Sequence, residues 1–201
     1  HLIENFKDTF GSGNRNKSHE YIGNIQDNIS EIIKEANKHF GHNTIREETY
    51  DVFNKCSSVI VVGGDYDVPM QKTEVFPYFD TMLQPLYNAL QNFYGYETLC
   101  AHNVIISKLE PGCTIPIHKD AHSTFKHTHR CHMVLQADEG VNFYSVRRVI
   151  ETKIGDIFEL NNDKMYHSVV NNSTRSRYHI IVDCYEGNKG AEGLVKDRKG
   201  D

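Results

Sequence analysis

From Asn103 to Cys184 the chain breaks into short segments of alternating apolar and polar residues, and this texture limits the fold more than any other feature. The segments run over 103–109, 130–137, 141–146, 147–152, 156–160, 167–171 and 177–184. Turn formers divide them: Pro111-Gly112, Asp138-Glu139-Gly140, Gly155, Asn161-Asn162-Asp163 and Asn171-Asn172-Ser173. Short strands at near-regular spacing predict a sandwich or barrel rather than a parallel α/β sheet.

The region before Tyr96 reads differently. Ile22, Ile25, Ile29, Ile32, Ile33, Ala36 and Phe40 recur at helical spacing after Ser18, which can cap, and Gly41 is a natural stop. A helix over 18–40 is therefore predicted. A second is predicted over 80–93 from Met82, Leu83, Leu86, Leu90 and Phe93, with Pro85 starting or kinking it and Gly95 ending it. Val59 to Val62 reads as a buried strand. The Gly63-Gly64-Asp65-Tyr66-Asp67 loop that follows lacks any phosphate-binding glycine pattern. The expectation is one mostly β domain over residues 1–201, with a helical flank over 1–95, a β core over 96–185 and a tail over 186–201.

Composition excludes several classes. A net charge of −5 gives no electrostatic footprint for nucleic acid. The longest apolar run, Val59 to Val62, is far too short to cross a bilayer. Five cysteines without Cys-x-x-Cys spacing fit neither a disulfide framework nor a zinc ribbon, which points to reduced thiols and a cytoplasmic location.

Histidines mark where the chemistry lies, since five of the twelve fall between His118 and His132. In an extended segment His118 and Asp120 face the same way. A carboxylate beside an imidazole on an inner face is costly unless something binds there. With His167 from a distant strand they make two imidazoles and one carboxylate, a set suited to Fe(II) with open positions. Ten residues past His167 comes Arg177, alternating with His179, Ile181 and Asp183 along one strand face. A guanidinium inside a β-fold calls for a carboxylate, which a dicarboxylate co-substrate can supply. Arg130 and His132 share a face opposite Cys131 and Met133, and by pattern alone that face can equally be the solvent side. His122, His127 and His129 occupy a loop that covers the cavity mouth or contacts substrate. Arg147-Arg148 reads as a solvated pair.

These residues carry a resemblance. Leu109-Glu110-Pro111-Gly112 leading into His118-Lys119-Asp120, then Arg130-Cys131-His132, Gly155-Asp156-Ile157-Phe158-Glu159, His167-Ser168-Val169-Val170-Asn171 and Arg177-Tyr178-His179-Ile180-Ile181-Val182-Asp183 resemble the aspartyl/asparaginyl β-hydroxylase family. That family lies within the Fe(II)/2-oxoglutarate oxygenases. The resemblance implies a double-stranded β-helix core, jelly-roll or cupin-like, under a helical layer. It implies His118, Asp120 and His167 as the catalytic iron ligands. It also implies contacts from Arg177, Arg130, His132 and Ser107 to 2-oxoglutarate, with ascorbate as a supporting reductant. The animal hydroxylases lack a carboxylate at the position of Asp120, whereas bacterial relatives keep it, so Asp120 places the chain nearer the bacterial branch.

The activity implied is a dioxygenase hydroxylating an unactivated C–H bond of a free or peptidyl amino acid, of aspartyl/asparaginyl or prolyl type, with decarboxylation of 2-oxoglutarate to succinate. Two alternatives stay open: a cupin-like metal enzyme that does not use 2-oxoglutarate, and a non-catalytic β-fold binding module. Oligomeric state is not legible.

Overall fold

The computed structural model describes residues 17–41, 56–63, 71–121, 125, 128–146 and 148–187. In chain order the elements are β1 (His19–Asn24), α1 (Ile29–Ala36), β2 (Cys56–Gly63), β3 (Gln71–Lys72), α2 (Phe76–Tyr94), β4 (Leu99–Leu109), β5 (Thr114–His118), β6 (His129–Gln136), β7 (Val141–Ser145), β8 (Arg148–Val149), β9 (Asp156–Leu160), β10 (His167–Asn171) and β11 (Arg177–Glu186).

The strands form two antiparallel sheets, a seven-stranded one ordered β1-β9-β6-β11-β4-β2-β3 and a four-stranded one ordered β5-β10-β7-β8. From β4 onward the chain passes back and forth between them, and β5, β7, β8 and β10 make up the whole smaller sheet. This is the double-stranded β-helix. β6 is buried along almost its full length because it lies inside the large sheet, between β9 and β11, covered on both faces. Arg130 and His132 are therefore inside the protein, not on a solvent face.

Two apolar clusters fill the layers. Between the helices and the outer face of the large sheet lie Ile32, Phe79, Leu83, Leu90, Ile106, Met133, Ile157 and Ile180. Within the barrel lie Leu109, Ile115, Val134, Phe143, Phe158, Leu160 and Val169. Helix α2 buries Phe79, Leu83, Leu86, Leu90 and Tyr94 along one stripe, and each such side chain contributes about 1.5–3 kcal/mol. Gly95, at φ 67°, ends it, with the Tyr96 N–H donating to the Gln91 carbonyl at 3.0 Å.

Two expectations change. Residues 18–40 are not one helix: β1 pairs with β9, then α1 begins at Ile29. The break falls at Asn28, which takes a left-handed conformation (φ 57°) and donates its side-chain amide to the Met82 carbonyl at 3.2 Å. Isoleucines at Ile22 and Ile25 satisfy a helical period, yet they serve a strand end packed on the same core. The second helix starts earlier, at Phe76, with Pro77 in its first turn, so Pro85 lies inside it. The region before residue 95 thus adds three strands to the large sheet as well as two helices. Among the described residues no helix is long and apolar enough to cross a membrane. Gly64 to Asp67, the first 16 residues and the tail beyond Gly187 lie outside the described residues.

Candidate metal centre

His118 is the last residue of β5 and His167 the first of β10, and the register pairs them directly across the two strands. Their ring centroids lie 4.3 Å apart. In each ring Nδ1 faces a backbone carbonyl, that of Pro116 at 2.8 Å for His118 and that of Met165 at 3.2 Å for His167. A carbonyl oxygen can only accept, so Nδ1 carries the proton and Nε2 presents its lone pair. Burial, opposed by the nearby Asp120 carboxylate, holds the His167 pKa down to about 4, so the imidazole is neutral at pH 7.

Asp120 lies just past the end of β5. Its Oδ1 is 3.5 Å from His118 Nε2, and its Oδ2 is 3.9 Å from His167 Nε2. One ligand atom from each of the three residues lies within 4.8 Å of the others. Burial alone would raise the Asp120 pKa. The Arg130 guanidinium, followed by His118, His167 and Asn162, more than offsets this and holds the carboxyl well below the usual carboxylate range. Two unprotonated imidazole nitrogens and a carboxylate converging on one point fit a divalent transition metal.

All seven residues singled out from the sequence line one cavity: His118, Asp120 and His167 together with Ser107, Arg130, His132 and Arg177. Ile115, Phe143, Val169 and Ile181 supply its apolar wall. Arg177, the first residue of β11, is 1% exposed, with its guanidinium carbon 5.7 Å from the centre of the Phe143 ring. Ser107, also 1% exposed, comes from β4. His132 stacks on Phe158 at 5.3 Å, and both of its ring nitrogens are buried without a hydrogen-bond partner among the described residues. Burial, and then the neighbouring Arg177 and Arg130 charges, push its pKa well below 6.5. A neutral imidazole with an unused N–H beside a buried guanidinium is a ready acceptor site for a carboxylate ligand.

Arg130 stands differently from the expectation. Its Nε and Nη2 donate to the two oxygens of Asp183, each at 2.7 Å, and its Nη1 donates to Asp120 Oδ2 at 2.6 Å. The Asn162 amide donates to the same Oδ2 at 2.9 Å. Sequence reasoning placed Asp183 on the right strand face but gave it no role, because the register that sets it opposite Arg130 is not visible in spacing. Asn162 registered only as a turn former.

Among the three loop histidines, His129 belongs to β6 and bonds Glu159 on the other face of the sheet, at 2.8 Å. His122 and His127 lie outside the described residues, as does Arg147, while Arg148 is exposed in β8.

A family model described as aspartyl/asparaginyl β-hydroxylase matches residues 26–186. No curated protein sequence matches. Among solved structures, the chain is similar to a 2-oxoglutarate–Fe(II) oxygenase family oxidoreductase from Burkholderia pseudomallei (16% identity, TM-score 0.53, covering 66% of this chain and 69% of that one). It is also similar to a prolyl hydroxylase from Trichoplax adhaerens, solved with a hypoxia inducible factor peptide fragment (13% identity, TM-score 0.55, covering 95% and 94%). A prolyl-4-hydroxylase from Pseudomonas putida matches at 11% identity, TM-score 0.55, covering 91% and 98%. At these identities the likeness is one of fold. The chain belongs to the aspartyl/asparaginyl β-hydroxylase family and is a hydroxylase built on the fold of the 2-oxoglutarate–Fe(II) oxygenases.

Proposed function

We propose that the protein uses Fe(II) and 2-oxoglutarate to hydroxylate an unactivated C–H bond of an amino acid or amino-acid residue, of aspartyl/asparaginyl or prolyl type. The observation that carries this reading is one cavity lined both by the His118, Asp120, His167 donor set and by the buried Arg177. A cupin-like enzyme without 2-oxoglutarate would have no use for that guanidinium.

In this reading His118 Nε2, His167 Nε2 and one Asp120 oxygen hold the metal. Arg177 takes the far carboxylate of 2-oxoglutarate, with Ser107 and neutral His132 donating beside it. When bound, the metal and co-substrate together with dioxygen supply the oxidising chemistry, converting 2-oxoglutarate to succinate and carbon dioxide as the C–H bond becomes C–OH. The protein's own part is positional. The backbone carbonyls of Pro116 and Met165 fix both imidazole tautomers. Phe143, Val169 and Ile181 line the same cavity with apolar surface, which would disfavour bulk water beside the bound groups.

The test is anaerobic titration of the protein with Fe(II) and then 2-oxoglutarate, followed by the visible charge-transfer band that a 2-oxo acid chelated to Fe(II) produces. The band is expected in wild type, absent in His167→Ala, and formed only at much higher 2-oxoglutarate in Arg177→Ala. No band in wild type would remove the proposal.

A further inference from the structure

We infer that Asp183 and Arg130 act as a positioning pair that fixes Asp120 to ligate a metal through Oδ1 alone. The inference rests on the reading of His118, Asp120 and His167 as metal ligands, and it gives Arg130 a different role from the co-substrate grip that the family resemblance implies.

The hydrogen bonds set the argument. Asp120 Oδ2 accepts from two donors, Arg130 Nη1 at 2.6 Å and Asn162 Nδ2 at 2.9 Å. A carboxylate oxygen has two in-plane lone pairs, so Oδ2 is committed to the protein. Oδ1 keeps its lone pairs and is the oxygen 3.5 Å from His118 Nε2.

Arg130 could grip Asp120 with its whole fork, and bidentate pairing is the favoured geometry for guanidinium and carboxylate. Asp183 takes the side-on edge of that fork instead. It lies opposite Arg130 in the β6–β11 register and accepts from Nε and Nη2, both at 2.7 Å, while Asp120 Oδ2 accepts from Nη1. Asp183 is fully buried and is further held by the Asn103 amide at 3.3 Å, so its own position is fixed. The Phe125 ring covers the guanidinium from 4.3 Å.

Charge gives the second reason. Arg130 facing Asp120 alone would neutralise the carboxylate and oppose a cation. With Asp183 the trio carries a net negative charge, and a divalent ion enters a site that still attracts it. Asp183 touches no metal, yet it decides both the orientation and the charge of a group that does.

The test is Mn(II) titration without 2-oxoglutarate, read by the loss of the free-ion paramagnetic resonance signal, followed by calorimetric binding of 2-oxoglutarate at saturating Mn(II). Asp183→Asn is expected to weaken Mn(II) binding about 10–100-fold, the usual effect of removing a partner that orients a ligand. Its 2-oxoglutarate affinity at saturating Mn(II) should match wild type. Asp183→Asn/Arg130→Met should bind Mn(II) more tightly than Asp183→Asn, because the misdirected cation is gone. Wild-type Mn(II) affinity in Asp183→Asn, or a loss confined to 2-oxoglutarate, overturns the inference alone. A wild type that binds no Mn(II) overturns the metal reading and the inference together. If Asp183→Asn does not fold, a metal-bound crystal structure of wild type decides. Ligation through Oδ1 alone upholds the inference, and a bidentate carboxylate or ligation through Oδ2 overturns it.

Discussion

Asn162 and Asp120 hold each other twice. The Asn162 amide donates to Asp120 Oδ2 at 2.9 Å, and the Asp120 backbone N–H donates to the Asn162 carbonyl at 3.0 Å. The segment after β5 is thereby tied to the turn after β9, and the carboxylate is fixed from its backbone as well as its side chain. Asn162→Ala removes the first bond and keeps the second. It should cost about 1 kcal/mol of stability and weaken Mn(II) binding about tenfold, measured by denaturant titration and metal titration. Unchanged metal affinity would mean that this latch orients nothing.

On the far side of the large sheet Glu159 is buried and held by the Tyr94 hydroxyl at 2.7 Å and His129 Nδ1 at 2.8 Å. The His129 ring stacks on Tyr94 with centroids 4.1 Å apart. Phe158, next along β9, belongs instead to the cluster within the barrel and stacks on His132. Tyr94→Phe should destabilise the fold by about 1–3 kcal/mol, the cost of a buried acceptor left without its donor. Turnover below the unfolding temperature should be unchanged. Loss of turnover in the folded variant would show that the two faces are coupled.

Gly155 sits at φ 85°, and a Cβ there would collide with the backbone carbonyl of Ile25. Its own carbonyl accepts the Ile25 N–H at 2.9 Å, which pins the end of β1 to the barrel. Gly155→Ala should cost more than about 1 kcal/mol and raise amide exchange across β1 first. Stability equal to wild type would contradict this account of the turn.

His132 and His179 are both buried, and both have pKa values pushed well below 6.5, by burial first and then by the Arg177 charge. The folded state therefore holds them neutral while the unfolded chain protonates them near pH 6.5. Their contribution is fully present above that pH and is lost as pH falls below it, by about 1.4 kcal/mol per unit for each histidine until the folded pKa is reached. Denaturant midpoints for the metal-free protein at pH 7.5, 6.5 and 5.5 should fall only across the lower interval. His179→Asn should reduce that fall. A midpoint independent of pH would contradict the burial of both rings in neutral form.

The barrel was legible because its signals are local. Strands at 156–160 and 167–171 stand at their expected bounds, fenced by Gly155 and by Asn161 and Asn172. The seven residues singled out were legible as a group because their types suit the metal and carboxylate chemistry proposed for them, and the barrel brings them to one cavity. Three things were not legible, and the first and last depend on partners distant in sequence. Isoleucine spacing over 18–40 suited a helix until β9 offered β1 an edge to pair with. Helix α2 gained a first turn from Pro77 that apolar periodicity ignores. The fork of Arg130 turned to Asp183 because β6 and β11 set the two opposite each other.

Succinate formation from 2-oxoglutarate, with Fe(II), ascorbate and dioxygen, tests the central claim most directly. Wild type should release succinate in an iron-dependent reaction, slowly without its substrate and faster with it. His167→Ala should abolish release, and Arg177→Ala should raise the 2-oxoglutarate requirement steeply. No iron-dependent succinate from the wild type, or a rate indifferent to Arg177→Ala, would contradict the account.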